Sequence, residues 1–139
     1  VFALGEVGLS TPAVYAECDR LRAGHRVREP LPSAAMMTAL RSGDADALGL
    51  ALSNDLQPAA LSLQPGLEEV LRTGMENGAL GGVVSGSGPT VAFLVSDTEH
   101  ALDLAVALTA SGVASGVKRA IGPVAGAHVL TGPSGLGSS

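Results

Sequence analysis

The fold of this chain depends on one stretch, Gly81-Gly-Val-Val-Ser-Gly-Ser-Gly-Pro-Thr-Val-Ala-Phe-Leu-Val95. Apolar and β-branched residues flank a turn rich in Gly and Pro, which predicts a strand, a loop and a second strand. Gly86 and Gly88 lack a Cβ atom, so the backbone there can adopt positive φ and approach a ligand closely. Successive N–H groups in such turns can form a concavity suited to a phosphate or a carboxylate. An ordinary glycine-rich turn is the alternative, and the residues by themselves leave both interpretations open.

Length and composition limit the possible functions. A chain of 139 residues with 46% hydrophobic and 15% charged residues predicts one compact domain. The net charge of −5 and the 2% of aromatic residues argue against nucleic-acid binding, which needs a basic face or stacking rings. No apolar run is long enough to predict a membrane span. Cys18 is the only cysteine, which fits a reducing compartment, and we expect a cytoplasmic location.

The rest of the chain predicts several helices between short strands. Val1 to Leu4, Val117 to Ile121 and Ala127 to Leu130 are candidate strands. Helices are expected after Thr11-Pro12 and after Pro65, with Thr11 as an N-cap and Pro12 in the first turn. No helix is expected between Leu56 and Pro65. The order of elements predicts an α+β fold, a mainly antiparallel sheet with helices on one face.

Three further helix starts carry specific expectations. Ser33 and Asp44 are expected to cap two short helices, with Gly43 as the stop between them. A capping box of Ser96 and Glu99 is expected to open the helix after the second strand. The apolar residues at helical spacing are expected to face the core; they include Val14, Cys18, Leu21, Met36, Met37, Leu40, Leu102 and Val106.

Three stretches, in order, resemble the GHMP kinases, the family named for galactokinase, homoserine kinase, mevalonate kinase and phosphomevalonate kinase. Ser85-Gly-Ser-Gly-Pro-Thr90, which follows Asn77-Gly-Ala-Leu-Gly-Gly82, resembles the third motif of that family. Leu9-Ser-Thr-Pro-Ala-Val-Tyr15 resembles its Thr-Pro-x-x-aromatic segment. Ser53-Asn-Asp-Leu-Gln57 resembles its Asn-Asp-Leu-Glu segment, with Gln57 in place of the usual Glu. The likeness runs from about Val1 to Leu130 and matches only the carboxyl-terminal half of such an enzyme.

The resemblance implies a ferredoxin-like carboxyl-terminal domain over residues 1–131 and a flexible tail over residues 132–139. The chain begins at Val1 without Met, and we expect the amino-terminal ATP-binding domain to be absent from it. Pro133 to Ser139 superficially resembles the family's ATP-phosphate loop. Its spacing is too short, and no helix can follow it to orient toward an anion, so we assign this match to chance.

The resemblance also implies a division of roles among the site residues. Thr11 and Tyr15 would bind the cytidyl end of the substrate, with the Tyr15 ring stacked on cytosine. From chemistry alone, Tyr15 is a ring at the edge of the core with its hydroxyl in water. The residues that would lie near phosphate are Gly86, Ser87 and Gly88.

Asn54 and Asp55 are expected to position other groups, since Asn and Asp are favoured where backbone groups need local partners. No catalytic residue and no metal ligand is expected in this chain. The simplest interpretation of Arg26 and Arg28 is that they lie on a solvated surface. The alternative is that they bind diphosphate.

The implied function is the substrate-binding half of a kinase that uses ATP and Mg²⁺. Within the family, the resemblance is closest to the kinases that phosphorylate a cytidine diphosphate-linked methylerythritol in non-mevalonate isoprenoid synthesis. The fragment alone is expected to be inactive, and its missing amino-terminal domain is the expected partner. Two alternatives remain at this point: a stand-alone regulatory domain that binds a small acidic metabolite, and a scaffold whose glycine turn only reverses the chain.

Overall fold

The computed structural model describes residues 1–27 and 29–129. Arg28 and the predicted tail lie outside the described residues, as does Leu130 at the end of one predicted strand. The elements in chain order are β1 (Phe2–Leu4), α1 (Thr11–Arg22), α2 (Ala34–Ser42), α3 (Ala45–Ala51), α4 (Gln57–Leu63), α5 (Gly66–Glu76), β2 (Gly81–Val84), β3 (Val91–Leu94), α6 (Thr98–Ala110) and β4 (Gly116–Lys118).

The four strands form one sheet in the order β2-β3-β1-β4. All three pairings are antiparallel, with Val84 opposite Val91, Phe2 opposite Ala92 and Ala3 opposite Val117. A hairpin in the middle, with helices before and after it, gives the ferredoxin-like arrangement in which β1 lies between β3 and β4. The predicted α+β fold is confirmed.

The main core lies between the sheet and helices α5 and α6. Val84, Val91 and Phe93 are buried on one face of the hairpin, as the alternation of side chains along a strand requires. Leu67 of α5 and Leu104 of α6 are buried in the same cluster. Burial of these apolar side chains supplies most of the favourable free energy that holds helices on the sheet.

A second, smaller core joins α1 to α4. Val14, Cys18 and Ala59 are buried there, and Leu9 and Leu56 pack against them. Because Leu9 also packs against the main core, it links α1 to the sheet. The helix α4 is absent from the sequence prediction: Pro58 lies in its first turn, but its N-cap, Leu56, makes no side-chain cap hydrogen bond and gives no capping signal.

The predicted N-caps Ser33 and Asp44 are confirmed, and the one predicted at Ser96 is wrong. Met36 N–H donates to Ser33 Oγ at 3.2 Å and Ala47 N–H donates to Asp44 Oδ1 at 2.9 Å, as expected. The helix α6 begins one residue later than predicted. Its N-cap is Asp97, which accepts a bond of 2.9 Å from the His100 N–H and one of 2.8 Å from the Ser96 hydroxyl. The bond from His100 first, and that from Ser96 second, hold the pKa of the Asp97 carboxyl below its usual value.

Some predicted apolar faces are wrong as well. Ala39 is buried in α2, whereas Leu40 is 56% exposed, because the helix turns a different side to its neighbours. Other residues expected inward but found exposed are Leu21, Met37, Leu102 and Val106. The strand expected at residues 127–130 is absent from the described part, and β4 ends at Lys118 rather than Ile121. Within the described residues, every helix is too short or too polar to traverse a lipid bilayer.

Candidate functional site

The loop between β2 and β3 has the positive-φ glycines that the sequence predicts. Gly86 has φ of 58° and Gly88 has φ of 80°. Inside the turn, the Gly88 N–H donates to the Ser85 carbonyl at 3.0 Å. The Gly88 N–H is therefore used by the turn itself, and the backbone N–H groups left for a ligand in this part of the loop are those of Gly86 and Ser87.

Asn54 ties the loop to the segment between α3 and α4. Its amide Nδ2 donates to the carbonyl oxygens of Val84 and Gly86, each at 2.7 Å. Its Oδ1 accepts from the Leu56 N–H at 3.0 Å. All the hydrogen-bonding atoms of this side chain are thus engaged.

Gln57 completes the attachment from the first turn of α4. Its Oε1 accepts from the Val84 N–H at 2.8 Å. The Val84 carbonyl is therefore hydrogen-bonded to Asn54, and the Val84 N–H is hydrogen-bonded to Gln57. Val84 is the last residue of β2 and one of the most deeply buried residues. The only signal of this contact in the sequence is Gln57 itself, at a place where the family that the sequence resembles usually has Glu.

Thr11 lies at the loop rather than in a cap. The N-cap of α1 is Ser10, with no side-chain cap hydrogen bond, and Thr11 is the first helical residue. Its Oγ1 lies 2.9 Å from Ser87 Oγ, close enough for either hydroxyl to donate. The predicted cap is wrong, because the helix begins at Thr11 itself and the Thr11 hydroxyl contacts the loop instead.

Tyr15 lies on α1 four residues after Thr11, so the two side chains share one face of the helix. It is 56% exposed, which leaves much of its ring accessible. Thr11, Tyr15 and Ser87 therefore form one accessible surface with the glycine loop, which we call the loop–α1 surface.

Asp55 contacts α1, whereas its neighbour Asn54 contacts the loop. Its Oδ2 forms an ion pair of 3.3 Å with Arg22 Nη2, and its side chain is 89% exposed. An exposed pair of this kind contributes little to stability. Arg26, the other candidate cation in the described part of that region, is exposed beyond the end of α1.

An electrostatic contact also joins α1 to α4. Glu17 accepts two hydrogen bonds from Arg20, at 2.6 and 2.7 Å, and one of 2.6 Å from the Ser62 hydroxyl. The Arg20 guanidinium first, and the Ser62 hydroxyl second, lower the pKa of Glu17 to about 2. The carboxylate is therefore ionised at neutral pH and fixes α4 beside α1.

The described residues contain no group of three or more His, Cys, Asp or Glu side chains that could hold a metal ion. The donors at the loop–α1 surface are hydroxyls, backbone N–H groups and a phenol. Such groups bind oxyanions, hydroxyl groups and rings.

Comparisons with known proteins agree with the fold and with the glycine loop. Residues 36–114 match the family model described as GHMP kinases C terminal. The chain is 54% identical over 130 residues to the 4-diphosphocytidyl-2-C-methyl-D-erythritol kinase of Streptomyces coelicolor, covering 94% of this chain and 44% of that protein. It is 52% identical over 139 residues to the protein of the same name from Mycolicibacterium smegmatis, covering 96% of this chain and 42% of that protein.

Two solved structures share the fold. The crystal structure of a homoserine kinase from Cytophaga hutchinsonii matches with a TM-score of 0.62 at 21% identity, over 80% of this chain and 36% of that one. A 4-(cytidine 5'-diphospho)-2C-methyl-D-erythritol kinase matches with a TM-score of 0.62 at 28% identity, over 78% of this chain and 38% of that one. The chain thus spans less than half the length of the relatives that it matches. The family match covers more than half of this chain, and the chain therefore belongs to the carboxyl-terminal family of the GHMP kinases.

Proposed function

We propose that this chain is the substrate-binding part of a kinase that transfers the γ-phosphate of ATP to the 2-hydroxyl of 4-diphosphocytidyl-2-C-methyl-D-erythritol. The proposal carries over to this chain the kinase activity that is stated in the names of its relatives from Streptomyces coelicolor and Mycolicibacterium smegmatis. The proposal applies to the predicted domain of residues 1–131. It includes a cytoplasmic location, and it takes an amino-terminal ATP-binding domain as the partner of this chain.

The single observation that carries the proposal is the contact between Thr11 and Ser87. The sequence resemblance gave these residues separate roles, one at the cytidyl end of the substrate and one near phosphate. Their hydroxyl oxygens lie 2.9 Å apart. A ligand with a cytidyl group joined to phosphates could therefore contact both segments at once on one continuous surface.

Each residue of the loop–α1 surface has a role that its chemistry supports. The exposed ring of Tyr15 would stack on the cytosine, since an aromatic face is available to a flat base. Thr11 and Ser87 would exchange their mutual hydrogen bond for bonds to the ligand. The N–H groups of Gly86 and Ser87 would face phosphate oxygens, while Gly88 maintains the turn.

Asn54 would act as a positioning residue, because it holds the carbonyls on both sides of Ser85. Asp55 would position the end of α1 through Arg22. Both act on the geometry of the surface rather than on the ligand itself.

Phosphoryl transfer depends mainly on positioning and on the neutralisation of charge. The groups on this surface can bind and orient a substrate but include no cationic side chain and no metal cluster among the described residues. When bound, ATP would supply the phosphoryl group and Mg²⁺ would neutralise its charge. The residues that hold them, and the catalytic base, would belong to the amino-terminal part, so this chain alone would be inactive.

Titration with cytidine diphosphate, followed by NMR, tests the proposal. We expect shifts at Ser87 and at the α1 residues near Tyr15, loss of binding in Tyr15→Ala and retention in Tyr15→Phe. Binding that ignores Tyr15→Ala, or that any small acidic metabolite produces equally well, would instead support a regulatory domain. Phosphorylation of the substrate by this chain by itself would contradict the assignment of catalysis to another part.

A further inference from the structure

Two glycines bring helix α3 and strand β2 into direct backbone contact. Gly49 is the buried residue of α3, and Gly81 is the first residue of β2. A Cβ atom on Gly49 would lie 2.5 Å from the Leu80 carbonyl carbon, and one on Gly81 would lie 2.7 Å from the Gly49 Cα. Ordinary van der Waals contact of a Cβ atom begins at 3.4 Å. Neither position has room for a side chain, and in both places the obstacle is main chain rather than the end of a flexible side chain.

The same two segments are joined a second time beyond this contact. Asn54 follows Gly49 by five residues, and Val84 follows Gly81 by three. The Asn54 amide donates to the carbonyl oxygens of Val84 and Gly86, each at 2.7 Å. The two segments are therefore fixed to each other at two points, by backbone contact at the first and by hydrogen bonds at the second.

The distances make the second connection depend on the first. A Cβ atom on Gly49 would reach ordinary contact only if α3 moved about 1 Å away from the Leu80 carbonyl. A hydrogen bond is lost beyond about 3.5 Å, so the 2.7 Å bonds of Asn54 tolerate a lengthening of only about 0.8 Å. The helix ends at Ala51, three residues before Asn54, so a displacement of α3 reaches Asn54 through a short segment. The separation of α3 from β2 therefore decides whether the Asn54 amide reaches the loop.

The loop–α1 surface is the next part of the molecule along this path. Asn54 holds the carbonyls of Val84 and Gly86, and Ser87 follows directly in the chain. The Ser87 hydroxyl lies 2.9 Å from the Thr11 hydroxyl on α1. A loop that Asn54 no longer holds would lose the fixed position of the Ser87 hydroxyl and of the N–H groups beside it.

We propose that Gly49 and Gly81 are positioning residues of the loop–α1 surface. Their backbone contact sets how closely α3 lies on β2, and this spacing lets Asn54 hold the glycine loop in the conformation that receives the ligand. The choice of cytidine diphosphate as that ligand rests on the proposed function, whereas the effect of the two glycines on the loop does not. Neither glycine touches the ligand, and both act through Asn54.

The first test substitutes Gly49→Ala and follows the NMR signals of the Asn54 side-chain amide and of the Ser87 N–H. We expect both signals to shift and the affinity for cytidine diphosphate to fall about tenfold, because two hydrogen bonds that fix the loop are lost. Gly74→Ala is the matched control. Its Cβ would overlap the Phe93 ring in the main core, so it should lower the Tm while leaving the Asn54 and Ser87 signals in place.

A longer side chain at position 54 separates positioning from a general loss of packing. Asn54→Gln extends the reach of the amide by one carbon–carbon bond, about 1.5 Å. In the parent chain this change should shift the Ser87 signal and weaken binding, because the fixed spacing of α3 leaves no room for a longer reach. In Gly49→Ala the same change should move the Ser87 signal back toward the parent and bring the affinity to within about threefold of it. A side chain that only disturbed packing would not be rescued in this way.

Three results would overturn the proposal. The first is a folded Gly49→Ala chain whose loop signals stay in place or move no more than those of Gly74→Ala. The second is a double variant that Asn54→Gln does not rescue. If Gly49→Ala does not fold, Asn54→Gln in the parent chain decides, and unchanged Ser87 signals there are the third. A parent chain that does not bind cytidine diphosphate would contradict the proposed function instead, and the NMR signals would still test the two glycines.

Discussion

The hydroxyl oxygens of Thr11 and Ser87 lie 2.9 Å apart, although 76 residues separate them in the chain. The first belongs to the start of α1 and the second to the loop after β2. Their contact places the α1 face with Tyr15 beside the glycine loop. This contact joins the two segments, and we propose that these segments bind opposite ends of one substrate.

A double-mutant cycle on this pair measures the link directly. Thr11→Val and Ser87→Ala each remove one hydroxyl with little change of shape, and we expect a coupling energy of about 0.5–1 kcal/mol, because an exposed hydrogen bond is weakened by competition from water. Urea unfolding of the four proteins gives this energy. Thr109→Val is the control, since its hydroxyl bonds within α6, and its effect should add to that of Ser87→Ala. Additive effects for the first pair would contradict the contact.

Asn54→Ala should cost about 1–3 kcal/mol of unfolding free energy. The substitution leaves the carbonyls of Val84 and Gly86 without the donors that Asn54 supplies. Urea unfolding measures the loss, and amide exchange in the loop should rise with it. Asp55→Asn is the neighbouring control and should stay within about 0.5 kcal/mol of the parent, because its ion pair is exposed. Equal costs at both positions would refute the positioning role of Asn54.

Gln57 should tolerate a carboxylate but not an apolar side chain. Its Oε1 is an acceptor for the Val84 N–H, and Gln57→Glu keeps an acceptor in that place. We expect Gln57→Glu to change the unfolding free energy by less than about 1 kcal/mol and Gln57→Leu to lower it by about 1–3 kcal/mol. Thermal unfolding of the two variants provides the comparison. A larger loss in the Glu variant than in the Leu variant would show that charge, rather than the hydrogen bond, governs this position.

Glu17 should make the stability of the chain dependent on pH in the acid range. Its pKa in the folded protein is lowered from 4.5 to about 2, so its contribution is fully present above about pH 4.5 and is lost as the pH falls toward 2. We therefore expect Glu17→Gln to lower the Tm at pH 7, and the difference from the parent to shrink between pH 4.5 and pH 2. Glu29→Gln, at an exposed position, is the control. A difference that stays constant over this range would mean that the ion pair with Arg20 does not act on stability.

The sequence alone determined the central hairpin, the class of the fold and the family resemblance. These depend on local signals: β-branched runs around Gly86 and Gly88 predict the strands and the turn, and Ser33 and Asp44 mark helix starts by capping nearby N–H groups. Local signals failed where a local alternative was equally good. Ser96 and Asp97 both suit an N-cap, and in the structure Asp97 accepts the capping hydrogen bond.

Only the tertiary structure decided how the site is assembled. The Thr11 side chain could cap its helix or face a distant loop. It faces the loop, because the folded sheet places Ser87 next to α1. The bonds from Asn54 and Gln57 to Val84 join segments 30 and 27 residues apart. No periodicity or spacing encodes such contacts, because they depend on where two elements come to lie after the core has packed.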